Sequence, residues 1–151
     1  MNLLCFGSKV IQLIDMLDIK ETINDLLKDT GIKTVDNGYK EGFKRPCFFV
    51  QILPIGGTDL LKGSILENSY MIEINYFSKS QKQIDNLKMA EILKKKVFPY
   101  INIKDRKLVP RNVRNEDIDG VLSFRFNLSW LDALPRKENT TKATKLKLEM
   151  E

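Results

Sequence analysis

The chain has 151 residues, of which 42% are hydrophobic and 30% charged, and its formal net charge is +5. This length and balance are typical of one globular domain, and no run approaches the roughly 20 apolar residues that a membrane span needs. Histidine is absent, and Cys5 and Cys47 form no C-x-x-C pair. These absences exclude His-based catalytic dyads and a structural zinc site, so we expect no enzyme, metal or cofactor.

Apolar residues at helical spacing predict helix in the first 31 residues. Ser8 is a candidate N-cap, and Asp18 with Glu21 is a second candidate capping box, so one bent helix or two short ones fit equally well. Gly31 is expected to end the helix, and a weak strand over 32–36 follows it. The apolar positions are Val10, Ile11, Ile14, Leu17, Ile19, Ile23, Leu26 and Leu27.

The strongest strand prediction falls on the segment between Gly42 and Pro54. Alternation puts one set of side chains on one face, namely Cys47, Phe49, Gln51 and Leu53, and Phe48, Val50 and Ile52 on the other. Because both faces carry apolar residues, we predict a strand that is covered on both sides, near the middle of a sheet. The glycine-containing stretch 54–68 is predicted to be a long, mobile hairpin excursion.

The next segments predict a strand, a helix and an edge strand. Alternation from Tyr70 to Tyr76 is typical of a half-buried strand. A helix over 81–98 follows, ended by Pro99, and its predicted inward stripe is Leu87, Ala90, Leu93 and Val97, with Met89 on the flank. The stretch 108–114 predicts a strand, which Pro110 places at a sheet edge.

The last strand has the clearest alternation in the chain. Asp119-Gly120 is a strong two-residue turn signal, and it leads into a strand over 121–131. The predicted core row is Leu122, Phe124, Phe126, Leu128 and Trp130. The opposite row is polar and consists of Ser123, Arg125, Asn127 and Ser129. Asp117 and Asp119 could ligate a divalent cation, but turn chemistry ahead of Gly120 is the favoured interpretation.

These elements predict an α+β fold, a small, mostly antiparallel sheet of four to five strands packed by two helices. We expect a single domain over 1–134, with 1–18 as an N-terminal extension or helix. The polar tail 135–151 is expected to be flexible or ordered by a partner. The apolar start of the chain lacks a basic region, so we expect neither a secretory signal nor a membrane partner.

Positive charge is concentrated between Lys79 and Arg114, where eleven basic residues accompany three acidic ones. A basic block can mark a polyanion partner, so one candidate function is a non-specific nucleic-acid-binding α/β domain. A solvated helix face followed by a loop explains the same charge. The candidates for pore or polyanion contact are Arg106, Lys107, Arg111 and Arg114.

The order of motifs resembles the phage tail terminator family of Gram-positive phages and phage-derived particles. The run from Gly42 to Gln51 carries most of the resemblance, as a glycine-phenylalanine-basic-proline turn that leads into a Cys/Phe-rich strand. Three further motifs follow in the family's order, Ile72 to Phe77, Met89-Ala90 and Asp119 to Phe124. The resemblance covers Ile19 to Leu131.

The resemblance implies a structural virion protein, with no catalytic site. Tail terminators form rings, usually hexamers, on the last ring of the tail tube, where they end tube growth and present a surface to the head–tail connector. In contractile particles, including headless bacteriocins, they also contact the sheath. The implied partners are therefore copies of the chain itself, tube protein, sheath and connector, with DNA only as lumen content, in a particle assembled in the host cytoplasm.

A head-to-tail ring needs two different surfaces on each subunit, and the sequence offers candidates. For subunit or partner contact they are Gly42, Phe43, Lys44, Arg45, Pro46, Ser123, Arg125, Asn127 and Ser129. For a loop that reaches an adjacent ring they are Gly56, Gly57, Asp59, Lys62 and Gly63. The alternative for Arg125 is a solvated residue on an open sheet face.

Overall fold

The computed structural model describes residues 3–6, 9–35, 43–60 and 63–133. The predicted tail 135–151 lies outside these residues. The strands are β1 (Leu3–Phe6), β2 (Lys9–Gln12), β3 (Lys33–Val35), β4 (Cys47–Leu60), β5 (Ile65–Phe77), β6 (Ile101–Ile103), β7 (Arg106–Leu108), β8 (Arg111–Ile118) and β9 (Val121–Ala133). The helices are α1 (Met16–Lys28) and α2 (Gln83–Val97).

Five strands form the main sheet, in the order β3-β4-β5-β9-β8. The short strand β3 runs parallel to β4, and every other neighbouring pair is antiparallel. Two further pairs of strands, β1–β2 and β6–β7, form separate two-stranded sheets. With two helices and a mostly antiparallel sheet, the predicted α+β fold is confirmed.

The core lies between one face of the sheet and the two helices. Helix α1 packs over β3 and β4 and against β6, whereas α2 packs over β9 and β8. The predicted core row of β9 is buried as expected, and Phe124 and Phe126 are fully enclosed. Burying a side chain of this size stabilises the fold by about 1.5 to 3 kcal/mol, so this face holds the domain together.

The predicted helix before residue 15 is wrong, because β1 and β2 form an antiparallel hairpin there. Two short apolar runs, one rich in β-branched residues, flank Gly7-Ser8, and that pattern favours a hairpin over a helix. Helix α1 begins at Met16, where Asp15 and Asp18 form a reciprocal capping box in place of Ser8 or the Asp18–Glu21 pair. As a result, Leu17 is 70% exposed.

Asp18 also anchors α1 to the β6–β7 hairpin. Lys104 Nζ lies 2.9 Å from the Asp18 carboxylate and 2.7 Å from the carbonyl oxygen of Leu13, to which it donates. Burial alone would raise the pKa of the Asp18 carboxyl, but the hydrogen bond from the Asp15 amide and the nearby Lys104 lower it below its ordinary value.

The sequence predicts that β4 is covered on both sides, but in the structure only one of its faces is covered. The strand is second from the edge of the sheet. Phe48 and Val50 face the core, whereas Phe49 and Gln51 are half-buried and Leu53 is 40% exposed. The reason is that both helices pack on the same face of the sheet, so the other face of β4 has no helix over it. Alternation located the two faces of β4 correctly but could not reveal that only one of them is covered.

The predicted mobile excursion after Pro54 is instead a continuation of the sheet. Strand β4 extends to Leu60 and stays paired with β5, with a bulge between Pro54 and Gly56. A bulge accommodates a proline that cannot complete the ladder, and so the strand continues past it. Strand β9 runs alongside as far as Ala133, so this end of the sheet is three strands wide.

The inward stripe of α2 also differs from the prediction. Leu87 is 51% exposed, and the buried residues are Asn86, Met89, Ala90, Leu93 and Val97. Asn86 can lie inside because its Nδ2 donates to Asp117 Oδ2 at 2.8 Å and to the Gly120 carbonyl at 3.1 Å. A polar residue thus takes the inward position that the hydrophobic pattern assigned to Leu87.

The stretch around Pro110 contains two strands, because the proline separates β7 from β8. Strand β8 is an edge strand, as predicted. The turn that follows is confirmed, with positive φ at both Asp119 (52°) and Gly120 (79°). Asp117 Oδ1 accepts a hydrogen bond from the Gly120 amide at 3.1 Å, which supports the turn interpretation of the Asp117–Asp119 pair.

Candidate subunit interface

One face of the main sheet has no helix packed on it in the described residues, and we call it the open face. Cross-strand partners point to the same side, so the register identifies its members. Glu73 on β5 pairs with Gln51 on β4 and with Arg125 on β9, which in turn pairs with Arg114 on β8. The open face therefore runs across four strands.

One end of the open face carries an aromatic cluster, formed by Phe43, Phe49 and Phe77. The ring centroids lie 4.7 Å to 5.4 Å apart in edge-to-face geometry. The Arg45 guanidinium lies 5.5 Å from the centroid of Phe77 and donates to the Ser78 carbonyl at 3.1 Å. Two of the residues predicted at the Gly42–Pro46 turn thus contact this end of the open face.

The middle of the open face is a polar network around Glu73. Its Oε1 accepts from Ser123 Oγ at 2.8 Å and from Arg125 Nε at 3.0 Å. Further along, the Ser69 and Ser129 hydroxyls lie 2.9 Å apart. The predicted polar row of β9 is therefore on the open face, and Arg125 is fixed in an ion pair with Glu73, not merely surrounded by solvent.

Arg114 lies on the open face, which it shares with Glu116 two residues further along β8. It pairs directly across the strands with Arg125, and like charges in that position repel. Glu73 neutralises Arg125, whereas Arg114 approaches the sulfur of Met71 at 3.9 Å and has no carboxylate within ion-pair distance in the described part of the chain. A carboxylate supplied by a partner would relieve this repulsion.

At the other end of the sheet, Arg106 forms an ion pair with a buried carboxylate, that of Asp132. Asp132, 5% exposed, accepts from Asn68 at 2.8 Å, from Trp130 Nε1 at 3.0 Å and from Arg106 at 2.7 Å. The second guanidinium nitrogen of Arg106 donates to the Leu131 carbonyl. Arg106 therefore ties the β6–β7 hairpin to β9, a structural role.

The remaining basic candidates do not form one patch with Arg106. The Lys107 ammonium lies 4.8 Å from the ring centroid of Tyr100. Arg111 and Arg114 lie on β8, where their cross-strand partners Asn127 and Arg125 place them on the open face. The four predicted residues therefore lie in two different places, Arg106 and Lys107 on β7, and Arg111 and Arg114 on the open face.

The end of the β4–β5 hairpin, from Pro54 to Leu60 and from Ile65 to Tyr70, is called the β4–β5 arm. The candidates for an adjacent-ring loop lie along this arm. Gly56, Gly57 and Asp59 are in β4, and Gly63 lies in the turn that follows, with φ +84°. Lys62 and Gly42, also predicted as contact residues, lie outside the described residues.

Three important residues escaped the sequence prediction. The alternation of β5 places Glu73 and Phe77 on the outward side, which was a usable signal for the open face. Asp132 carried no comparable signal, because its three donors come from Asn68, Trp130 and Arg106, two of them distant in the chain.

A mostly antiparallel sheet with one face covered by helices and one charged open face leaves the second face available to a partner. The comparison with known families agrees, since the sequence matches the phage tail terminator protein family over residues 18–141. The chain belongs to this family, which confirms the resemblance and extends it beyond Leu131. It therefore has a structural role in phage tail assembly, as part of a virion or tail particle.

The family match begins after the β1–β2 hairpin, so that hairpin lies outside the matched region. No curated protein matched the chain. Neither helix in the described ranges is long and apolar enough to span a membrane.

Proposed function

We propose that this protein forms a closed ring, a hexamer in keeping with its family, at the last ring of the tail tube. The ring ends tube growth and presents a surface to the head–tail connector. In a contractile particle, including a headless bacteriocin, the same ring also meets the last ring of sheath. The particle is assembled in the host cytoplasm, and DNA is only lumen content where a head exists.

The observation that carries this proposal is the family match over residues 18–141, taken together with the open face. The open face combines an aromatic cluster, the Glu73–Arg125 ion pair and Arg114, which forms no ion pair among the described residues. Aromatic and arginine side chains are enriched at protein interfaces. We assign the open face to a subunit or tube contact, with Phe43, Arg45 and Arg125 as its principal residues.

The free sheet edges are less suited than the faces to form the ring contact. Beyond Phe49, β4 has a neighbour on one side only among the described strands, and β8 likewise pairs only with β9. However, β4 carries Pro54 and a bulge, and β8 carries a bulge and four charged residues. These features prevent edge-to-edge pairing in many proteins.

The β4–β5 arm is our candidate for contact with the adjacent ring. It carries two exposed apolar side chains, Leu53 and Ile55, and its ladder continues to Leu60. Asp132 and Asn68 anchor the base of the arm through a 2.8 Å hydrogen bond. A stiff, anchored arm with an apolar surface suits contact with a neighbouring ring.

The proposal is tested by tail assembly with and without the protein. Tube protein and its assembly factors are co-expressed in a bacterial host with this chain or without it, and particles are measured by negative-stain microscopy. We expect tubes of uniform length with extra density at one end when the protein is present, and overlong or heterogeneous tubes when it is absent. Identical tube lengths and ends in both samples would contradict the proposal.

The same preparation distinguishes the nucleic-acid alternative. If the basic segment binds DNA directly, the purified monomer is retained on DNA, and its affinity falls steeply with salt. A tail terminator is expected to bind tube ends in the absence of DNA. Salt-sensitive DNA retention together with no binding to tubes would favour the alternative.

A further inference from the structure

The β6–β7 hairpin has one buried side and one exposed side. Its register pairs Ile101 with Leu108 and Asn102 with Lys107, and the members of each pair point the same way. Ile101, Ile103 and Leu108 are buried, whereas Asn102 and Lys107 are exposed. The second side of the hairpin therefore faces away from the core.

The exposed side carries a cluster of large apolar side chains. Tyr100 and Val109 flank the first pair of the ladder, and alternation places them on the same side as Lys107, at 38% and 59% exposure. The Lys107 ammonium, 4.8 Å from the ring centroid of Tyr100, confirms this placement. Phe98, two residues before Tyr100, is 40% exposed. We call the surface formed by Phe98, Tyr100, Lys107 and Val109 the hairpin outer face.

The composition of the hairpin outer face indicates what would cover it. Single exposed apolar residues are common, but several in one patch with a polar rim mark a contact. Lys107 has no carboxylate within ion-pair distance among the described residues. The surface therefore fits a segment that combines a row of apolar side chains with nearby carboxylates.

The sequence beyond β9 contains such a segment. From Lys145 to Glu151, charged and apolar residues alternate without interruption. In an extended chain this alternation puts Leu146, Leu148 and Met150 on one face. The first two charged residues are lysines and the last two are glutamates. The family match ends at residue 141, so the 145–151 segment lies outside the matched region.

The chain leaves β9 beside the β6–β7 hairpin. Arg106 on β7 pairs with Asp132 at 2.7 Å and donates to the Leu131 carbonyl, and β9 ends at Ala133. The chain from Ala133 to Leu146 spans up to about 40 Å when extended, so the 145–151 segment can reach the hairpin outer face of its own subunit. A tether of this kind gives an effective concentration on the order of millimolar, which favours a contact within one chain.

We infer that the 145–151 segment lies in extended conformation over the hairpin outer face of its own subunit. Its apolar row packs on Tyr100 and Val109, and its two glutamates lie near Lys107. While the segment is in place, the hairpin outer face is closed to other apolar partners. This contact goes beyond the proposed ring function and does not depend on it.

Disulfide trapping in the full-length chain provides the test. Each variant joins one cysteine in the segment to one on a candidate surface: the hairpin outer face, the open face or α1. The three pairs combine Leu148→Cys with Val109→Cys, Leu53→Cys or Leu17→Cys. All carry Cys5→Ser, while Cys47 is kept because it is fully buried.

We expect cross-linking within one chain to be about tenfold faster with Val109→Cys than with the other two, measured by mass spectrometry under mild oxidation. Adding Leu146→Ser and Met150→Ser to each pair is the matched control, because it removes the apolar row and keeps the tether. This change should abolish most of the difference. Equal rates in the original pairs, a faster reaction with Leu53→Cys, an unchanged difference in the control, or covalent dimers as the main product would overturn the inference.

Trypsin cleavage gives an independent measurement. A covered segment is cut slowly after Lys147 relative to Arg136, which precedes the segment, because cleavage follows the uncovered population. We expect Tyr100→Ser with Val109→Ser to raise this ratio several-fold. Ile84→Ser, which removes a 55% exposed side chain from α2, should leave it as in the wild type.

Circular dichroism checks that these variants are folded. An unchanged cleavage ratio in the double variant, or an equal rise in Ile84→Ser, would overturn the inference. Neither measurement requires ring assembly. The proposed function and this inference can therefore fail separately.

Discussion

The two faces of the main sheet are made from the same strands and differ in what covers them. On β9, Phe124 and Phe126 point to the helices and are fully buried, while Arg125 between them points to the open face and stays partly exposed. The covered face holds the domain together through apolar burial. The open face is fixed by the Glu73 network but keeps aromatic rings and a charge in reach of a partner.

This difference teaches that fold and assembly are separable in this protein. Changes on the covered face should lower the free energy of unfolding, and changes on the open face should leave unfolding almost unaltered while weakening assembly. Each of the following predictions can break or sharpen that separation, in order of decreasing effect on stability.

The largest loss is expected for Phe124→Ala on the covered face. The side chain is fully buried and packs against Phe126, with ring centroids 6.0 Å apart, so the substitution leaves a cavity. We expect the free energy of unfolding to fall by about 3 to 5 kcal/mol, measured by urea denaturation. A loss below about 1 kcal/mol would mean that the covered face does not carry the stability.

A smaller loss is expected for Asp132→Ala at the base of the arm. The change removes the acceptor of Asn68, Trp130 and Arg106 and leaves a partly buried guanidinium without its partner. We expect a loss of about 2 to 3 kcal/mol. Asp132→Asn is the matched control, since it keeps one acceptor oxygen, and it should cost less; an equal cost for both would show that the hydrogen bonds are not what matters.

Substituting alanine at two glycines with similar φ distinguishes the cost of backbone strain from the cost of a steric contact. Gly120 has φ +79° and Gly31 has φ +73°, but a methyl group on Gly120 would lie 3.3 Å from the Gln81 carbonyl oxygen, whereas Gly31 faces open space. We expect Gly31→Ala to cost about 1 kcal/mol and Gly120→Ala more, by thermal unfolding. Equal melting temperatures would contradict the close approach of the β8–β9 turn to the start of α2.

The smallest stability effect is expected on the open face. Arg125→Gln removes the ion pair with Glu73, and an exposed or half-exposed pair contributes about 0 to 1 kcal/mol. Unfolding should therefore change little, while the concentration needed for ring assembly rises. Lys88→Gln is the control, because Lys88 is an exposed lysine on helix α2, which packs on the covered face. A large loss of stability with unchanged assembly would reverse the roles of the two faces.

Sequence reasoning could predict the elements whose signals are local. The alternation of β9, the turn at Asp119-Gly120 and the position of Pro99 after α2 all follow from neighbouring residues, and the structure contains them. The family motifs span Ile19 to Leu131, and the family match over residues 18–141 includes that span.

Features that depend on tertiary packing could not be predicted from the sequence. Apolar residues on both faces of β4 do not reveal that both helices pack on the same side, so Phe49 was assigned to the core. The hairpin before α1 and the buried Asn86 were missed because hydrophobic spacing alone favours helix and apolar burial. For the candidate interface, the polar row of β9 was predictable, whereas the Phe43–Phe77 contact depends on long-range packing.

The central claim, that this protein assembles as a ring on a tail tube, is tested most directly by the mass of the purified protein with and without tubes. Mass photometry over a range of concentrations should show one closed species, at a fixed multiple of the 17.5 kDa subunit, that also appears at one end of each tube. A monomer at all concentrations, with no binding to tube ends, would contradict the account.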